Sequence, residues 1–303
     1  MNHTEHTDHE YFTEPAAIEA LGQRLGGSDI VIGAYLTGSN HPQHGTRVPA
    51  ENIDYLAGWL HSGMRHKLNM VVLHDGLSDA FQQKCHAAVA IHHHEKKRGT
   101  LTFVQIRPGR FTIADERFLA ALALLERIRF RNVFMVDVAD AWFADNPFLL
   151  VEKPTLRRFF DRSGFARARG FRGFCRALAA QYRTWRDRKR FTVFIGGEDT
   201  TIGDNPWMQR HIRKVFGQDM PHLAQKPVLN CGILGGGQRH LVSVLRTVRS
   251  EMLRCNATDV LNDMAVFNRV LHDSQYHLPY SNGVLNSPWK AWAKQGKHAI
   301  FHK

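Results

Sequence analysis

Two carboxylates, Asp137 and Asp140, follow the apolar run Asn132-Val-Phe-Met-Val136 and precede Asp145-Asn-Pro147. Acids so placed can ligate a hard divalent cation, which is commonly held by one or two carboxylates plus substrate phosphates. Such a cation neutralises charge on a departing diphosphate. Acids after a strand also cap loops, so the pair taken alone has two readings. A second constellation is Pro227-Val-Leu-Asn-Cys-Gly-Ile-Leu-Gly-Gly-Gly237. Its glycines, Gly232 among them, let backbone approach a ligand closely, and Asn230 offers a donor and an acceptor to a sugar or ribose hydroxyl. A tight turn after a buried strand would use the same residues.

Positioning these groups requires strands that end together. Short apolar, β-branched runs alternate with amphipathic segments, as expected of an α/β sheet covered by helices. Strands are expected over 29–36, 68–73, 101–106, 132–136, 191–195, 227–237 and 299–302, and helices over 79–97, 114–128, 238–254 and 259–271. The helix over 114–128 carries Asp115 and Glu116 in its first turn, where the macrodipole favours negative charge. Residues 37–42 and 196–206 are rich in turn formers and read as loops. Asp137 and Asp140 then fall at and just beyond the carboxyl end of a strand, where open α/β sheets bind ligands. No repeat and no linker divides the chain. One domain over 29–303 is expected, after a polar segment 1–28 and with an Arg-rich insertion at about 156–190.

The stretch Val133–Phe148 resembles the strand, Asp-x-x-Asp, aromatic, Asp-Pro signature of GT-A glycosyltransferases, a variant of their Asp-x-Asp motif. Pro227–Gly236 is similar to the Asn-Ala-Gly-Val-Leu-Gly-Gly block of that superfamily, in the manner of glycosyltransferase family 8. Asn262-Asp-Met-Ala-Val-Phe-Asn268 looks like its Asp-Gln block, and Ile300-Phe-His302 resembles the late strand that ends in a metal-binding histidine. The order of the blocks matches over about residues 29–303. The resemblance implies a GT-A, Rossmann-like mixed sheet flanked by helices. It implies a hexosyl- or pentosyltransferase using a nucleotide sugar, with UDP as the expected nucleotide and Mn²⁺ or Mg²⁺ held by Asp137, Asp140 and His302. Mixed histidine and carboxylate ligation suits either ion. His298 competes for the histidine role, and a histidine there can also be a plain surface residue.

By the same resemblance Asp263 and Asn230 orient the reacting sugar, Asp263 as polar anchor or base. Its place in a helix's first turns would also suit simple helix stabilisation, and Met264 stands where the family has Gln. The nucleotide is expected near Tyr35, Thr37, Asp75 and Gly232, with Arg117 on the diphosphate or sugar.

The formal charge of +12 over 303 residues implies an anionic partner. Most of it comes from residues 156–190, where arginines alternate with Phe159, Phe160, Phe165, Phe171, Phe174, Tyr182 and Trp185. Arginine with aromatics suits nucleic acid. An amphipathic helix with a Phe core and an Arg surface gives the same letters. In the functional reading Arg167, Arg169 and Arg172 meet an anionic acceptor, such as DNA undergoing base modification, RNA, or a phosphorylated envelope glycan or lipid. Two alternatives are a non-catalytic basic nucleic-acid-binding α/β protein and a nucleotidyltransferase on a related fold.

Cys85, Cys175, Cys231 and Cys255 are scattered, which argues against a zinc ribbon or a disulfide framework. A reduced, cytoplasmic protein is expected, with at most peripheral membrane contact, because no apolar run is long enough to span a bilayer. His92-His-His94 invites a zinc reading, but adjacent residues of a helix face different ways. No P-loop pattern and no Gly-x-Ser-x-Gly elbow is present.

Overall fold

Alternation along the strands sorts the core into two halves. On β1 (Ile30–Tyr35), β2 (Asn69–His74) and β4 (Asn132–Val136), the side chains of Ile30, Ile32, Val71, Leu73, Val133 and Met135 enter one half. Val31, Met70, Val72, Phe134 and Val136 enter the other. The first half is covered by α1 (Pro15–Leu25), α4 (Ile113–Arg127), α6 (Pro206–Phe216), α7 (Gln238–Cys255) and α8 (Asp263–His272). The second lies under α2 (Ile53–Arg65), α3 (Asp79–Ala90) and the short α5 (Phe148–Val151). The computed structural model describes residues 10–38, 40, 45–90, 99–151, 173, 175, 179, 193–255, 260–276, 278, 280–281 and 299–302.

The sheet adds β3 (Thr100–Gln105), β6 (Val193–Thr201), β7 (Pro227–Gly237) and β8 (Tyr280–Ser281), in the order β3-β2-β1-β4-β7-β6-β8. Strands β3, β2, β1 and β4 run parallel, and β7 is antiparallel to both β4 and β6. The fold is thus a mixed α/β sheet flanked by helices. A second sheet pairs β5 (Ala141–Phe143) with β9 (Ile300–His302), antiparallel, with Ala141 opposite His302. Stacking of Trp142 on Phe301, with ring centroids 5.3 Å apart, adds to that pairing.

Several elements depart from the sequence expectation. The expected loop over 196–206 is largely strand, because β6 continues through Gly196 and Gly197 to Thr201 by shifting register against β7. Glycines in a strand commonly mark such irregularities. Helix α6 follows, started by Asn205, whose side chain accepts from Met208 N at 3.0 Å, and ended by Gly217 at φ 70°. Before Asp29, α1 buries Ile18, Leu21 and Leu25.

The buried amide of Asn268 fastens α8 to β7. It accepts from Leu229 N at 2.9 Å and donates to Leu229 O at 2.9 Å and Met264 O at 2.8 Å. Asn268→Ala would strand both polar groups of Leu229 next to Asn230. A loss of about 2 kcal/mol in urea unfolding is expected.

Candidate active site

Strand β4 ends at Val136, and its next residue, Asp137, keeps the sheet direction through a bond from its N–H to Gly232 O at 2.9 Å. The chain then turns through Asp140 directly into β5. Because β5 pairs with β9, His302 is delivered beside the two acids. Its Nε2 lies 3.4 Å from Asp137 Oδ2 and 3.3 Å from Asp140 Oδ1. One ligand atom from each residue falls within 4.8 Å of the others, and this is the cluster of metal-ligand type found among the described residues. Burial would raise the Asp140 carboxyl, but the hydrogen bond and charge of His302, with Arg117, hold it below the usual range.

Gly232 forms the floor. A Cβ there would stand 2.6 Å from both Cε1 and Nε2 of His302 and 2.9 Å from Asp137 Oδ2. The ligand set therefore occupies space that any other residue would fill, and its two carboxylates and imidazole fit a divalent cation such as Mn²⁺ or Mg²⁺.

Arg117 reaches in from the first turns of α4. It pairs with Asp137 through Nη1 and with Asp263 Oδ2 through Nη2 at 3.1 Å, over the Phe118 ring at 4.6 Å. Asp263 begins α8 and takes a bond from Met264 N at 2.6 Å. Arg117→Met would leave two acids, one of them buried, without their counter-charge. A destabilisation of about 3 kcal/mol is expected by chemical unfolding.

Asp115 and Glu116 do more than favour the helix dipole, since both are buried. Asp115 accepts from Asn262 N at 3.0 Å and Asn262 Nδ2 at 3.1 Å, which fixes the start of α8. Burial, then the charge of Asp263, pushes its carboxyl up. Glu116 accepts from Tyr11 Oη and Phe111 N, each at 2.8 Å.

A cavity of about 490 Å³ at the carboxyl ends of β1 and β4 is lined by Asn230, Cys231, Thr46, Arg47, Pro49 and Tyr55. Asp137, Asp140, His302, Arg117, Asp263, Asn230 and Gly232 all meet there. Tyr35, Thr37 and Asp75 do not. Tyr35 is buried, its hydroxyl bonded to Pro49 O and accepting from Asn52 N at 3.1 Å, and it stacks at 4.9 Å under Tyr55. The Asp75 carboxylate accepts from Thr37 N at 2.9 Å and Gly38 N at 2.7 Å, so these residues hold the loop after β1. Arg167, Arg169, Arg172, His92–His94 and His298 lie outside the described residues.

Sequence reasoning missed Arg47, Tyr55 and Glu198. Glu198 is a buried acid on β6 whose Oε1 accepts from Asn230 Nδ2 at 3.1 Å. Its signal is an acid in register with an apolar strand, hidden by the two preceding glycines. Burial pushes its carboxyl up to about 7, against the Asn230 hydrogen bond and the His302 charge. The sign follows from that rise. The protonated acid favours the folded state fully below about pH 4, and this contribution disappears as pH rises through 7. Relative to Glu198→Gln, the wild type should lose about 1 kcal/mol of unfolding free energy between pH 6 and 8.

Fold and site together define a mixed α/β protein with a carboxylate and imidazole centre at the end of its sheet. Two solved structures similar to it are galactosyltransferase LgtC in complex with donor and acceptor sugar analogs (15% identity, TM-score 0.47, 90% of this chain and 86% of that one) and an active-site mutant of LgtC (13%, 0.47, 90% and 86%). No protein-family model and no curated protein matches the chain.

Proposed function

We propose that the chain is a metal-dependent glycosyltransferase of GT-A type that moves a sugar from a nucleotide-diphosphate sugar, UDP-linked in the leading form, to a hydroxyl acceptor. The observation that carries this reading is the Asp137, Asp140 and His302 cluster over the hollow left by Gly232. These three residues would hold Mn²⁺ or Mg²⁺, which when bound would neutralise charge on the departing diphosphate.

The chain's own groups do the rest. Arg117 fixes Asp137 and Asp263 relative to one another. Asp263 and Asn230 face the donor sugar; the acceptor hydroxyl oxygen bonds to the anomeric carbon as the bond from that carbon to the diphosphate breaks, and the hydroxyl proton passes to Asp263 as base. Arg47 is the second guanidinium on the cavity wall, and its Nε already donates to Thr37 O at 3.3 Å. With that bond orienting it, Arg47 contacts the diphosphate. Arg47→Ala is expected to raise KM for the donor about tenfold with little change in kcat, measured by initial rates. The basic stretch around Arg167, Arg169 and Arg172 supplies contacts to an anionic acceptor, a nucleic acid or a phosphorylated glycan or lipid. Among the described residues no helix is long and apolar enough to cross a membrane.

The test is release of nucleoside diphosphate across UDP-, GDP-, CMP- and TDP-sugars with and without Mn²⁺. Donors that bind should also raise Tm in the presence of the ion. Pyrophosphate released from a nucleoside triphosphate would mean nucleotidyl transfer instead. Salt-dependent nucleic-acid binding indifferent to Mn²⁺ and donor, with no turnover, would mean a binding protein.

A further inference from the structure

The geometry points to Glu198 as a positioning residue that fixes the polarity of Asn230, so that this amide offers the cavity an N–H donor. The inference rests on the glycosyltransferase reading for what Asn230 meets there, an oxygen of the donor sugar. The pairing itself stands on three bonded groups. Asn230 Oδ1 accepts from Gly232 N at 2.9 Å, and Asn230 Nδ2 donates one hydrogen to Glu198 Oε1 at 3.1 Å. A carboxylate cannot donate, so an amide turned the other way would set oxygen against oxygen at Glu198 and N–H against N–H at Gly232. One hydrogen of Nδ2 is left, on a residue that lines the cavity.

Glu198 is absent from the cavity wall and acts through Asn230. Ionisation strengthens the lock, since a charged acceptor bonds an amide more tightly than a neutral one. The groups that act on Glu198 are Asn230 from β7 and His302 from β9, and its rise to about 7 places the change within the working range of pH. Protonation gives the acid a hydrogen of its own and loosens the constraint on the amide.

Initial rates from pH 5.5 to 8.5 test this in the wild type, Glu198→Gln, Asn230→Ala and the double variant. The wild-type kcat/KM should rise with pH through a limb that reports ionisation of Glu198. Glu198→Gln, which can turn its own amide and release the lock, should lose that limb and about tenfold in kcat/KM at pH 8. The double variant should be no worse than Asn230→Ala. An unchanged limb in Glu198→Gln, or losses that multiply in the double variant, would overturn the assignment.

A second readout needs no turnover. The side-chain amide ¹H–¹⁵N resonances of Asn230, identified by their loss in Asn230→Ala, should shift with a midpoint near pH 7 in the wild type and stay still in Glu198→Gln. Resonances that stay still in both proteins would overturn the pairing. If the wild type turns over no nucleotide sugar while these resonances titrate, the functional reading fails and the Glu198–Asn230 pairing stands.

Discussion

Asp140→Asn is expected to lower kcat by about 100- to 1,000-fold, the loss typical of removing one preorganised group that stabilises developing charge. The carboxylate sits 3.3 Å from His302 Nε2. Asparagine keeps the shape and one oxygen but removes the negative charge a divalent cation needs. The measurement is nucleoside diphosphate release at saturating Mn²⁺, with calorimetric titration of Mn²⁺ alongside. Loss of both ion binding and turnover, with Tm within a few degrees of the wild type, is the expected result. Full turnover would remove Asp140 from the ligand set.

Gly232→Ala should have a comparable effect for a steric reason. Gly232 is outside the left-handed region, so alanine incurs no backbone penalty there. The cost lies in the added methyl group, which meets His302 at 2.6 Å and Asp137 Oδ2 at 2.9 Å. His302 is buried and pinned by β9, and Asp137 is held by Arg117, so neither can withdraw freely. A displacement of even a few tenths of an ångström spoils a ligand set. About 100-fold weaker Mn²⁺ binding and a similar loss of kcat are expected. Gly232→Ala with unchanged Mn²⁺ affinity would mean that the hollow over Gly232 is not where the ion is held.

The part of the site contained in a single stretch of chain could be read from sequence. Asp137 and Asp140 follow their strand directly, so apolar run and acids declared the strand end together. The glycines and Asn230 on β7 were legible for the same reason. The terminal strand was legible and, by resemblance, so was its His302, but its route into the site was not, because its partner β5 has three residues and no periodicity can be measured over so few. Glu198 was hidden by Gly196 and Gly197, which look like loop formers yet are accommodated by register shifts against β7. Tyr35, Thr37 and Asp75 lie near the strand ends as expected, but which way a side chain turns there depends on partners distant in sequence. Tyr35 turns toward Pro49 and Asn52, and Asp75 toward the backbone of Thr37 and Gly38. Helix α6 did carry readable signals in Asn205, Pro206 and Gly217, overlooked beside the expected loop.

The measurement closest to the central claim is nucleoside diphosphate release by the wild type and Asp140→Asn, in Mn²⁺ and in a chelator, on the donor that most raises Tm. Release that needs Mn²⁺ in the wild type and is lost in Asp140→Asn is the predicted result. Release that is equal in chelator and in Mn²⁺, or equal in the two proteins, would contradict it.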